Sequence, residues 1–376
     1  MKRLFVQAYA NDNLGDDLFL HILFERYKNV QFRLMTSRIC KQFQQYPNVE
    51  FSKQPSSILI LRIFSKLLKL FFSTKKSIMI WEKAWKKYLA RQNKECDAYL
   101  YIGGSIFMQH SGGFRFADSL NYWVAETFQD KFVLGANFGP YLEDAYVSFY
   151  QKKIFPSYLD VCFRDKYSYS LFQNMPNVRY CQDIVFQLKM NIDRKVLKKS
   201  IGFSIMDFSH REDIDEKINS LYVRKMLETI EWHYKLGYDI YLFSFCKNEG
   251  DEKAIEAIIS SLPSDVKCFT CLYNGDINTF LSTYSSIETM VTLRFHSLIL
   301  SVLYGQKIYP LIYSNKTLNV LKDSLHYSGP YKLLGDLNSW NPRKLLQEAV
   351  VVDYAHDEFA LSAQKQFIVL DNFLAS

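Results

Sequence analysis

Proline and glycine are scarce in this chain, nine and fourteen of 376 residues, which excludes collagen-like repeats and low-complexity tracts. No run of about 18 uncharged apolar residues exists, so no membrane-spanning helix is expected. The N-terminus, MKRLFVQAYANDN, reaches Asn and Asp after too short an apolar stretch for a signal peptide. Seven Cys are scattered without a framework, and an odd number in a long chain reads as reduced thiols in the cytosol. The close pair Cys268 and Cys271 lacks a second pair and a His at metal-ligand spacing, so a strand and its turn are expected there, not a zinc or redox centre. Missing too are G-x-G-x-x-G after the first apolar run, G-x-x-x-x-G-K-[ST] and H-E-x-x-H. Their absence argues against dinucleotide, P-loop and zincin chemistry. No metal is expected.

What is present is aromatic. Tyr and Phe number 26 and 30, and aromatics reach 16 %. With 48 % apolar and 23 % charged residues the composition is globular, and rings remain for a binding cleft. The length argues for two domains, because single cores stop growing near ~250–300 residues. The net charge of +7 is concentrated: Arg62 to Lys94 carries ten Lys/Arg and one acid, Glu82, so the segment nets +9 and the rest −2. The mild global basicity therefore says little and the one segment a good deal; no nucleic-acid partner is expected. Segment 61–94 reads instead as two amphipathic, Lys-rich stretches. Arg62, Ser65, Lys66, Lys69 and Ser73 form one stripe, and Trp81 and Trp85 stand a turn apart. Such helices suit an anionic membrane surface; the competing reading is that their apolar stripes pack on the first domain.

Apolar runs alternate with helical patterns along the whole chain. Arg3–Tyr9, DAYLYIGG, KFVLGANFG and VRYCQDIVF are expected strands of a first block, and IGFSIM, DIYLFSF, VKCFTCL and TMVTLRF of a second. This is an α/β pattern, expected to give two Rossmann-like domains facing a central cleft. Residues 1–194 form the first domain on the acceptor side and 195–354 the second on the donor side. Residues 355–376 form a C-terminal helix returning to the first domain. Ligands of such sheets sit beyond the carboxyl ends of the strands, which directs attention to the loops NDNLGDD, GGSIFMQH, NFGPY, SIMDF, FCKNEGD and LRFHS.

Asp16 and Asp17 stand where a pyrophosphate would sit and would repel it, and Asn13 to Asp17 also reads as a capped helix start. Gly103, Gly104, Gly135 and Gly139 could admit a ligand to the backbone or simply permit turns. Arg164 reads as an exposed Arg paired with Asp165, which together with Ser168 caps the next helix. Arg294 and His296 alternate about Phe295, so on an extended segment they share one face. A buried guanidinium needs an acid or an anionic ligand, and the nearest upstream acid is Glu288. Two readings stand side by side: an anion-binding and proton-transfer pair, or a structural His beside an Arg bridged to a distant carboxylate.

Several of these pieces together resemble the polysaccharide pyruvyl transferases. They are NLGDDLFL, YIGGSIF, LGANFGPY, CFRDKYSYSLF, QDIVF, NEGDEKAI and LRFHSLILSVLYGQKIYPLIYSNKTLNVLKD, in the family's order over roughly residues 11 to 323. The resemblance implies a fold like that of GT-B glycosyltransferases. It also implies transfer of the enolpyruvyl carbons of phosphoenolpyruvate onto two hydroxyls of a sugar, giving a cyclic ketal in cell-surface polysaccharide synthesis. By that likeness His296 is the catalytic residue, and Arg294, Arg164 and Ser297 bind the donor. Asn13, Gly15, Asp16, Gly103, Gly104, Asn137 and Lys316 are candidates for the substrate loops. Ser105 stands where the family often has a third glycine, and Ile184 where a Pro often follows the Asp. Phosphoenolpyruvate would be a co-substrate, with no cofactor, and the acceptor a sugar or lipid-linked oligosaccharide. The implied location is cytoplasmic, peripheral on the inner face of the cell membrane. Alternatives are a GT-B glycosyltransferase using a nucleotide sugar, or a non-catalytic sugar-binding homologue.

Overall fold

A computed structural model of the chain describes residues 1–37, 40–57, 74–109, 111–189, 195–209, 211, 214–352 and 356–376. Backbone packing divides it into two compact units. The first comprises Met1–Ala10, Phe19–Ile184 and Leu361–Ser376, the second Asn11–Leu18 and Val185–Ala360.

The first unit is built on β1 (Arg3–Gln7), β2 (Gln31–Thr36), β3 (Val49–Lys53), β4 (Ala98–Ile102), β5 (Lys131–Ala136), β6 (Asp160–Phe163) and β7 (Val178–Tyr180). They form one parallel sheet in the order β3-β2-β1-β4-β5-β6-β7. Every residue of β4, β5 and β6 is buried, as expected of strands covered on both faces. The aromatic excess is concentrated on this sheet, where Phe107, Phe138, Tyr146, Tyr150, Phe155 and Phe172 pack ring against ring. The last residues close the unit. Arg179 donates to the carbonyls of Lys365 and Gln366, and Gln366 accepts from the Gly135 amide at 3.1 Å. The expected strand VRYCQDIVF is shorter than its apolar run: β7 stops at Tyr180 and Ile184–Gln187 forms a 3-10 turn. The chain leaves the sheet there and brings Asp183 to Arg164.

The second unit carries β8 (Leu197–Ser204), β9 (Asp239–Ser244), β10 (Cys268–Leu272), β11 (Ile287–Thr292), β12 (Lys307–Ile312), β13 (Lys332–Leu333) and β14 (Val350–Val351). The order is β10-β9-β8-β11-β12-β13, all parallel, with β14 antiparallel on β12. In each sheet the order reverses beside the first strand, β1 or β8, which is the topological switch point where open α/β sheets bind ligands. Cys268 and Cys271 both lie in β10 as free thiols.

Of the basic segment, residues 58–73 lie outside the described residues, so the stripe from Arg62 to Ser73 is not placed. Helix Thr74–Glu95 is described, and it buries Trp85, Leu89 and Gln92, while Lys83, Lys86 and Lys87 are exposed. This spacing puts the apolar stripe of WEKAWKKYL on the unit's own core. Among the described residues no helix is long and apolar enough to cross a membrane.

Candidate functional site

In the second unit the carboxyl end of β11 is shaped by a serine. Ser204, the last residue of β8, accepts the amides of Leu293 at 3.0 Å and Arg294 at 2.9 Å through its hydroxyl. The ladder therefore ends at Thr292, and the helix Phe295–Leu303 begins at once with Arg294 as its N-cap residue in an extended conformation. This corrects the expectation that Arg294 and His296 share one face of an extended strand. His296 lies in the first helical turn, and the two side chains have different partners.

Arg294 is buried against carboxylates that the local sequence does not show. Its Nε donates to Asp251 Oδ2 at 3.2 Å, Nη2 to Asp251 Oδ1, and Nη1 to Glu249. Asp251 is fully buried and also accepts the amides of Phe245 and Cys246. Burial raises the Asp251 pKa even beside the guanidinium. For Glu249 burial acts in the same direction, but the charge and hydrogen bonds of Arg294 override it and hold the carboxyl below its ordinary range. Asn13 bridges this cluster to the next, donating from Nδ2 to Glu249 at 3.2 Å. Its Oδ1 accepts the Gly15 amide at 3.0 Å, which is an N-terminal cap for the helix Leu14–Arg26.

His296 sits on that cap. A β-carbon placed on Gly15 would fall 1.8 Å from His296 Nδ1, so the imidazole rests directly on the Gly15 backbone. Phe295 meets the imidazole edge-on at 5.1 Å, and Lys316 Nζ stands 5.1 Å from the centre of the Phe295 ring. Asp16 is half-buried in the first turn of the helix, and Asp17 is buried and accepts the Tyr273 hydroxyl at 2.7 Å. Ser297 is fully buried, its hydroxyl and carbonyl bonded to the Tyr284 hydroxyl at 2.8 and 2.7 Å. In that place it ties the helix to its neighbour Ile277–Ser286.

The first unit holds a separate cluster at the ends of β4, β5 and β6. Arg164 is 2 % exposed and not a surface residue as expected. Its partner is not Asp165, which caps the helix Lys166–Ser170 by accepting from the Ser168 amide. Instead Nη1 donates to buried Asp183 at 2.8 Å and Nη2 to Asn137 Oδ1 at 3.1 Å. A β-carbon on Gly104 would lie 2.2 Å from the guanidinium, and the Gly104 carbonyl accepts the Asn137 amide at 2.8 Å. Ser105 donates to Asn137 Oδ1 at 3.3 Å. Gly103 continues from β4, its amide on the Leu134 carbonyl at 3.3 Å.

Thus Asn13, Gly15, Arg294, His296 and Lys316 come together in the second unit, and Gly104, Asn137 and Arg164 in the first. Sequence reasoning missed Glu249, Asp251 and Asp183 as arginine partners, and Ser204. The usable signal was an acid on either side of a glycine just after β9, and an acid just after β7. Among the described residues no group of three or more His, Cys, Asp or Glu is arranged to hold a metal ion.

Compared with protein families, residues 13–315 match the model described as polysaccharide pyruvyl transferase. A search of curated proteins gives no significant match. Among solved structures the chain is similar to HepE from Anabaena in complex with UDP and glucose, at 9 % identity over 99 % of this chain and 96 % of that one, with a TM-score of 0.55. It is also similar to the UDP-GlcNAc 2-epimerase from Neisseria meningitidis bound to UDP-GlcNAc, at 10 % identity, all of both chains and TM-score 0.54. A third is the UDP-forming α,α-trehalose-phosphate synthase from Burkholderia vietnamiensis, at 9 % identity, 100 % of this chain, 98 % of that one and TM-score 0.52. Identities this low speak to fold alone, and the fold is of the GT-B type.

Proposed function

The chain belongs to the polysaccharide pyruvyl transferase family, and on that footing we propose that it transfers the enolpyruvyl group of phosphoenolpyruvate to two hydroxyls of one sugar, forming a cyclic ketal. The observation that carries this reading is the seating of His296. It stands on Gly15 at the carboxyl end of β11, beside the switch point, one residue from Phe295 and two from Arg294. An imidazole held there can exchange a proton near neutral pH.

The chemistry needs one proton delivered to the methylene carbon of the donor, which leaves the neighbouring carbon electrophilic. Two sugar hydroxyls attack that carbon in turn and lose their protons, and the bond to the phosphate oxygen breaks with its electron pair. Arg294 and Lys316 are the cations assigned to the donor's carboxylate and phosphate. His296 is the proton donor and acceptor. Ser297 is left out of the donor contacts, because its hydroxyl is bonded in the core.

The acceptor in this reading is a sugar of a surface polysaccharide or its lipid-linked precursor, and the protein works at the inner face of the membrane. Exposed Lys83, Lys86 and Lys87 support attraction to an anionic surface, each contributing about 1 kcal/mol. The burial of Trp85 and Leu89 removes the apolar part of that support from the described helix.

The test is thermal stabilisation and phosphate release. Phosphoenolpyruvate should raise the melting temperature and, with a panel of glycosides, release phosphate and yield a ketal-bearing sugar. Stabilisation by UDP- or GDP-sugars with none by phosphoenolpyruvate would assign the protein to nucleotide-sugar transfer instead.

A further inference from the structure

The two carboxylates around Arg294 differ in kind. Asp251 is fully buried, and its oxygens take two backbone amides of the β9 exit as well as Nε and Nη2 of Arg294. It is anchored to the sheet and fixes the plane of the guanidinium. Glu249 lies in the single 3-10 turn Lys247–Glu249, its side chain 38 % exposed. It holds Arg294 Nη1 and the Asn13 side-chain amide. The next residue, Gly250, has φ +90°, a left-handed conformation that glycine adopts at little cost.

One guanidinium facing two carboxylates has no positive charge left over for a third anion. An anionic ligand approaching Arg294 from the Nη1 side meets Glu249 on the N–H group it would use, and meets its like charge as well. Resting on the assignment of Arg294 to the donor, we propose that Glu249 is an internal competitor, its carboxylate filling the anion-binding edge of Arg294 and swinging out when a carboxylate or phosphate ligand takes its place. Asp251 does not move and acts as the positioning residue. The pull of Arg294 on the Glu249 carboxyl keeps this competitor ionised at neutral pH.

The proposal makes an unusual demand: removing a residue beside the site should improve binding. A purely structural role for Glu249 demands the opposite sign. Calorimetric titration of the full chain with phosphoenolpyruvate, and separately with inorganic phosphate, reads that sign. Glu249→Gln keeps an acceptor for Asn13 and should bind both anions about tenfold more tightly than the unsubstituted protein. Glu249→Ala should shift the affinities the same way, and adding Arg294→Ala should abolish the gain. Asp251→Asn should weaken binding. Unchanged or weaker binding of both anions by Glu249→Gln and Glu249→Ala would overturn the proposal. A gain for phosphate with no binding of phosphoenolpyruvate by any variant would uphold the competitor and reject phosphoenolpyruvate as donor.

Discussion

His296 Nδ1 lies 1.8 Å from the point that a β-carbon on Gly15 would occupy. No side chain can be added at position 15 without moving the imidazole, because real β-carbon contacts are nearly twice as long. Gly15→Ala would ordinarily be mild within a helix, and even stabilising by about 0.5–1 kcal/mol. Here the expected result is a folded protein, with unchanged circular dichroism, whose turnover falls about 10²-fold because the ring proposed to transfer the proton is displaced by an ångström or more. Full activity in Gly15→Ala would show that the ring position does not matter.

Arg164 and Asp183 make a buried ion pair, 2 % and 3 % exposed at their side chains. Removing one partner leaves a charge without compensation, so Arg164→Ala should lose about 3–5 kcal/mol of stability. Replacing both by apolar residues, Arg164→Met with Asp183→Leu, should recover most of that stability. Chemical denaturation of the single and double variants measures it. Additive losses would mean that the pair is not coupled.

Much of this architecture was legible in the amino-acid sequence, and the reasons differ by element. Strands β4, β5 and β9 announce themselves as apolar runs because both faces of a parallel sheet are covered. The motif LRFHS pointed to the right strand end, and NDNLGDD to the helix whose cap carries His296. The arginine partners were not legible. Glu249 and Asp251 are more than forty positions from Arg294, and only the pairing of β9, β8 and β11 brings their loops together. The geometry of Arg294 and His296 departs from the extended pattern of the sequence for a local reason: the Ser204 hydroxyl, from another strand, captures two amides and ends β11 early. The acid next to Arg164 in the sequence suggests an exposed pair. That acid caps a helix, and the true partner arrives from the far side of β7.

A second histidine gives stability a pH dependence. His233 is fully buried, its Nδ1 on the Thr229 carbonyl at 2.8 Å. Burial lowers its pKa from 6.5 more than that carbonyl raises it. The unfolded chain therefore takes up the proton first, and stability is complete above about pH 6.5 and falls as the pH drops from there toward the folded value. His21, likewise lowered by burial, acts in the same direction. Denaturation midpoints measured at about pH 7.5 and 5.5 should separate, by at most about 1.4 kcal/mol per pH unit for each histidine. His233→Phe should reduce that separation. Equal separations in the two proteins would remove His233 as a cause.

In the proposed reaction His296 moves the proton that activates phosphoenolpyruvate. This role is tested most directly by single-turnover phosphate release from phosphoenolpyruvate by His296→Gln, in the presence of an acceptor glycoside and with donor affinity measured alongside. Glutamine keeps hydrogen bonding but cannot titrate. A proton-transferring His296 predicts donor affinity within a few-fold of the unsubstituted protein and a rate lower by about 10²–10⁴. A rate close to that of the unsubstituted protein would contradict it, leaving His296 as a positioning residue and the proton donor elsewhere.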